Sequence, residues 1–104
     1  MDPYRYYIAV EVIPNRGELS TCSRRVRPLP GQGLNQNLRV QCPKEMRFEY
    51  PIGTVFKIIA QWASRQGTVF IQSSHLWPYE KIDLAVAEEM IEKKELGFYA
   101  KARI

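Results

Sequence analysis

Residues 47–79, RFEYPIGTVFKIIAQWASRQGTVFIQSSHLWPY, decide the fold. Val55, Phe56, Ile58, Ile59 and Trp62, followed by Thr68, Val69, Phe70 and Ile71, are β-branched or aromatic, the types that suit a pleated, half-buried surface. Between the two runs lies Ala63-Ser64-Arg65-Gln66-Gly67, a polar turn ending in the residue that takes positive φ without steric cost. Upstream, Pro51-Ile52-Gly53 is a second turn signal. The pattern predicts three consecutive antiparallel strands over 47–50, 54–63 and 68–74. A helix is excluded, because two glycines and a proline would interrupt it. In the middle strand Phe56, Ile58, Ala60 and Trp62 share one face, while Val55, Ile59 and Ala63 share the other with Lys57 and Gln61. Both faces are partly apolar, which suits a barrel or a strand covered on both sides.

Working outward, residues 4–13 (YRYYIAVEVI) alternate, with Tyr4, Tyr6, Ile8, Val10 and Val12 on the core face. Pro14-Asn15-Arg16-Gly17 is a turn, and 18–22 are expected to return as a short strand. Residues 23–37 (SRRVRPLPGQGLNQN) show no periodicity and read as one long irregular loop. Residues 38–42 alternate again, with Leu38, Val40 and Cys42 inward, and Pro43-Lys44-Glu45 turns the chain toward the hairpin. Beyond the proline-broken Trp77-Pro78-Tyr79, the spacing of Leu84, Ala87, Met90 and Ile91 predicts a helix over 83–96. Asp83 stands at its N-cap and Gly97 after its end. Residues 98–104 (FYAKARI) read as a final strand, expected to pair with 4–13. The architecture expected is α+β: a mainly antiparallel small β-barrel or strongly curved sheet of about six strands, one helix near the C-terminus, then a strand, all in one domain spanning 1–104.

The composition is that of a globular chain, with 45% hydrophobic and 25% charged residues among 104. Two cysteines, Cys22 and Cys42, do not make a disulfide-dense secreted scaffold and are read as small buried hydrophobes rather than a bridge. The first residues do not read as a signal peptide and no apolar run approaches a membrane span, so a cytoplasmic location is expected. Net charge is +4; residues 1–82 hold eleven basic against six acidic side chains, densest at Ser23-Arg24-Arg25-Val26-Arg27.

No motif carries a specific chemistry. His75 is the sole histidine, so any acid–base proposal runs through it. With Cys42 or Cys22 it could form a nucleophile and base, but no family signature surrounds either thiol. No close pair of the CxxC kind supports a metal site. Gly31-Gln32-Gly33 lacks the Lys-Ser/Thr of a phosphate loop and reads as loop flexibility. Arg27-Pro28-Leu29-Pro30 has the look of a docking peptide, a match common by chance. Glu45 and Glu49, with Glu11 across from them, read as solvated carboxylates. No catalytic residue, cofactor or metal is assigned.

Binding is the better-motivated class. Arg24, Arg25 and Arg27, together with Arg39, Arg47 and Lys57, could grip nucleic acid or another anion beside aromatic planes such as Tyr7 and Trp62. Trp77, Tyr79, Phe98 and Tyr99 are of the types enriched at interfaces, and a homodimer is the commonest assembly. The expectation is a non-enzymatic binding module, with self-association first, nucleic acid through the 24–27 loop second, and a small anionic ligand in a barrel mouth, held by Arg39 or Arg47, third.

Arg47-Phe48-Glu49-Tyr50-Pro51-Ile52-Gly53-Thr54-Val55-Phe56 resembles the strand–PxG–strand opening of many small β-barrels, over about a tenth of the chain. In size the chain also resembles the proteins encoded by mobile integron gene cassettes, a resemblance of type that implies no residue roles.

Overall fold

The computed structural model describes residues 4–15 and 23–102. The central hairpin pairs β4 (Val55–Arg65) with β5 (Thr68–Gln72) antiparallel. Its turn is only Gln66-Gly67, at φ of 52° and 80°. A two-residue loop with both residues at positive φ has the twist that antiparallel strands need. Ser64 and Arg65, expected in the turn, therefore stay with Ala63 in the ladder, the three standing opposite Val69, Thr68 and Phe70 respectively.

β4 organises the sheet. One edge pairs with β1 (Arg5–Pro14), from Arg5 opposite Gln61 to Glu11 opposite Val55. The other edge is shared, its C-terminal half taken by β5 and its N-terminal half by β6 (Glu80–Ile82). β2 (Arg24–Pro28) pairs with β1, and β3 (Val40–Gln41) pairs with β5 in parallel. The order is β2-β1-β4-β5-β3, with β6 branching from β4. The fold is thus α+β, but the sheet is mixed and open, which corrects the barrel. β2 and β3, its two edges, share no ladder. Between them lies α1 (Glu45–Phe48), tied to β2 by Arg24, whose Nη1 donates to the carbonyls of Tyr50 (2.8 Å) and Arg47 (3.3 Å).

The sheet is covered on both faces, as the two-sided pattern of β4 implies. On one face Tyr6, Ile8 and Val10 meet Phe56 and Ile58, with Met46 of α1 wholly buried against them. On the other, Ala9 and Val55 pack under Ala87 of α2 (Leu84–Glu92), with Leu29 and Leu96. Tyr4 escapes the core face it was assigned to and is 52% exposed.

Four other expectations change. Residues 47–50 are not a strand. The turn at Pro43-Lys44 continues as α1, because Met46 anchors a helical turn in the core and its neighbours are good helix formers. The 23–37 stretch is not wholly irregular. β2 emerges from it as an edge strand with Val26 and Pro28 inward, a place where a proline costs no ladder bond. The strand expected over 18–22 lies outside the described residues. The helix expected over 83–96 ends at Glu92, where Lys94 turns left-handed (φ 59°) and the Glu95 N–H reaches back to Met90 O (2.8 Å). Asp83 stands at the N-cap but makes no side-chain capping bond. The final strand reduces to one bridge, Lys101 opposite Tyr6, with residues 103–104 outside the described residues.

Candidate anion-binding groove

Parallel pairing of β3 with β5 brings two distant segments side by side. Ile71 N–H donates to Arg39 O (2.9 Å) and Ser73 N–H to Gln41 O (2.7 Å). The chain then leaves β3 through Pro43 into α1, and leaves β5 through Ser74 into a turn. That turn is closed by Leu76 N–H on Ser74 Oγ (3.1 Å) and Trp77 N–H on Ser74 O (3.1 Å), and it presents His75. Between the two exits lies a groove of about 510 Å³.

Its walls carry Arg39, Lys44, Arg47 and His75, with the amides of Gln41 and Gln72 and the hydroxyls of Ser73 and Ser74. No carboxylate lines it, and none of the four basic groups is ion-paired with a described residue. Arg47 Nε is buried and has no hydrogen-bond partner among the described residues. Desolvating part of a guanidinium without a partner is costly, and a bound oxyanion would offset that cost. Cys42 lines the groove as well, so it and His75 do share a site. Among the described residues no group of three His, Cys, Asp or Glu side chains could hold a metal ion. The cleft between α2 and Pro30, about 390 Å³, differs in having Glu88 and Glu92 on its wall.

The basic residues picked out from the sequence separate into two sets. Arg39 and Arg47 meet in the groove. Arg24 is committed to the carbonyls of Tyr50 and Arg47, and Arg27 Nε is ion-paired with Glu11 (2.9 Å) across β1–β2. Arg25 stands half-buried opposite Ile13. Lys44 and His75 complete the groove. Lys44 was not singled out, although three basic residues at 39, 44 and 47 flank one proline turn, and that is the local signal that marks it.

The aromatic set also divides. Phe98 stacks on Trp62 (4.8 Å, 14° between planes) and meets Tyr6 edge-on, so it is core. Tyr79 is half-buried edge-on to Phe56. Burial raises its pKa above the ordinary 10.0, aided by the nearby Glu45, Tyr50 and Glu49 and by a hydrogen bond with Tyr50. Trp77 lies under the Arg5 guanidinium (4.4 Å), and Tyr99, 55% exposed, lies beneath Lys94 (5.0 Å).

No helix among the described residues is long and apolar enough to cross a membrane. Comparison with protein-family models, with curated proteins and with solved structures returns no match, so the resemblance to cassette-encoded proteins draws no support from them.

Proposed function

We propose that this protein is a non-enzymatic binding module that receives an anionic, phosphate-like group in the groove between the ends of β3 and β5. One observation carries the reading: Arg39, Lys44, Arg47 and His75 converge on one hollow whose wall holds no carboxylate. The cations of Arg39, Lys44 and Arg47, with no carboxylate on the wall beside them, repel one another and attract an oxyanion, and the paired donors of two arginines suit its geometry. The neighbouring serines and glutamines add neutral donors.

Titration with inorganic phosphate at low salt, followed by the backbone resonances of 39–47 and 72–75, tests the proposal. Saturable shifts confined to those segments are expected, reduced at least ~10-fold in affinity by Arg39→Glu, which removes one charged contact and adds a repulsive one. Phosphate that leaves these resonances unmoved at low salt overturns the reading.

Self-association stands second. Phe98 is packed inside the fold, while the half-buried Trp77 and Tyr79, the exposed Tyr99 and the 79% exposed Leu76 are its support. Light scattering that finds a monomer at high concentration removes it.

A further inference from the structure

A row of four side chains crosses the sheet and ends at the groove. Arg5 of β1 is opposite Gln61 of β4, Gln61 is opposite Gln72 of β5, and Gln72 is level with Gln41 of β3. Directly paired residues point to the same side of a sheet, so the four share one face. Strand spacing sets the length of the row at about 14 Å. α2 covers Ala9 and Val55 toward the other end of that face and leaves the row outside its footprint. Gln72 is exposed, and Gln41, Gln61 and Arg5 are half-exposed.

The ends of the row are cationic and its middle is neutral. At the β3 end Gln41 and Gln72 are themselves walls of the groove, beside Arg39 and His75. At the β1 end the Arg5 guanidinium lies 4.4 Å from the Trp77 ring centroid. One step along the same face stands Tyr7, and Nζ of Lys57, a further step on, lies 4.5 Å from its ring. Neither cation is ion-paired with a described residue, although Glu80 is Lys57's cross-strand neighbour. A ring under a cation fixes its position without cancelling its charge. Arg5 is thus a charge set beside an aromatic plane, Trp77, at the mouth of the row.

We infer that the groove is one end of a track for single-stranded nucleic acid, which runs along Gln41, Gln72 and Gln61 to the Arg5–Trp77 stack. This rests on the anion-binding reading of the groove. Phosphates separated by flat, hydrogen-bonding bases match cations separated by amides. The amides of Gln41 and Gln72 offer both donors and acceptors to exposed base edges, and the Trp77 ring beside the Arg5 guanidinium offers a plane to an unpaired base. An acidic peptide would match the charges but has no use for the stacked plane. A duplex has no unpaired base to lay on it.

The test is a length series of thymidylate oligomers, from the mononucleotide to the octamer, measured by Trp fluorescence and polarisation across a salt range, beside a titration with inorganic phosphate. The octamer is expected to bind at least ~10-fold more tightly than the mononucleotide and to quench Trp77, with log affinity falling against log salt at a slope of about −2 for three neutralised phosphates. Arg5→Glu, checked for native circular dichroism, is expected to abolish the gain with length while leaving phosphate binding at the Arg39 end within ~3-fold, as distant charges are screened, whereas Gln72→Glu, which puts a carboxylate on the groove wall, is expected to weaken phosphate and octamer alike. An octamer no tighter than the mononucleotide, or an octamer unaffected by both substitutions, overturns the track while the phosphate result stands by itself. Equal competition by a duplex or by poly-glutamate also overturns it. Phosphate that fails to bind, with an octamer still sensitive to Arg5 and Gln72, removes the groove reading and retains the row.

Discussion

The side-chain amide of Gln32 takes the place of a neighbouring strand beside Ala9. Ala9 N–H donates to Gln32 Oε1 (2.7 Å), and Gln32 Nε2 donates back to Ala9 O (2.8 Å) and to Leu29 O (2.9 Å). The chain of β2 leaves the edge of β1 after a last bond, Leu29 N–H on Ala9 O (3.0 Å), and residues 97–102 reach that edge only from Tyr7 downward, through Gly97 N–H on Tyr7 O (2.7 Å) and Tyr7 N–H on Ala100 O (2.9 Å). Gln32, wholly buried, fills the gap between them. Gln32→Leu keeps the volume but strands the Ala9 donor and the added amide interactions. A loss of about 2–4 kcal/mol is expected, from one buried unsatisfied donor and a lost network. Chemical denaturation checks it, and a loss below about 1 kcal/mol would show that the amide merely fills space.

Gly97 is required by Gln32, not by the helix before it. It holds φ 103°, and a Cβ there would sit 2.7 Å from Gln32 O and 2.9 Å from Gln32 Cα. Gly53 holds a similar φ of 95° with nothing within 4 Å of its would-be Cβ. Both Gly→Ala changes carry the left-handed penalty of about 1–2 kcal/mol, and only the change at 97 adds a backbone clash. Gly97→Ala should therefore lower stability by roughly 2 kcal/mol more than Gly53→Ala, since the backbone at Gln32 must move out of its own hydrogen bonds. Equal effects in thermal unfolding would refute the clash.

These two positions mark where reading the sequence stops. Alternation makes β1 legible, β-branched and aromatic composition between two turns makes β4 legible, and helical spacing makes α2 legible, because each pattern is local. Gln32 sits in a stretch whose two glycines and amides look like a plain loop, and nothing near it names Ala9 as its partner. α1 was misread because Arg47-Phe48-Glu49-Tyr50 alternates like a strand, while the residue that settles it, Met46, acts through a distant core. β2 is hidden by Pro28 at its end and Pro30 just beyond it. The groove depends on the parallel register of β3 with β5, which no turn or period encodes. Charge alone pointed to Arg39 and Arg47, and only the fold separates them from Arg24 and Arg27.

Gln66 is a strained residue in an otherwise well-formed hairpin turn. It is exposed, holds φ 52°, and precedes Gly67 at φ 80°. Asparagine tolerates this conformation far better than glutamine, and Asn-Gly is the favoured pair for such a turn. Gln66→Asn is expected to raise stability by about 0.5–1 kcal/mol without moving the Arg65–Thr68 closing pair. A higher denaturation midpoint at unchanged slope confirms it, and an unchanged or lower midpoint counts against the turn geometry.

Tyr79 couples stability to alkaline pH. Its phenol is held above the ordinary value of 10.0, first by burial and then by Glu45, Tyr50 and Glu49 and the hydrogen bond with Tyr50. The folded state therefore keeps its proton at a pH where the unfolded chain has released it. The resulting stability is fully present below pH 10.0 and is lost as pH climbs from there through the folded value. Tyr79→Phe keeps the edge-on packing against Phe56 and removes the titrating group. Near neutrality the variant should lose about 1 kcal/mol, for the missing hydrogen bond with Tyr50. Above pH 10 the gap between the two proteins should narrow, because only the parent has a proton to lose. Denaturation midpoints measured in parallel from pH 7 to pH 11 decide it: parallel curves would mean that Tyr79 ionises as freely in the folded chain as in the unfolded one.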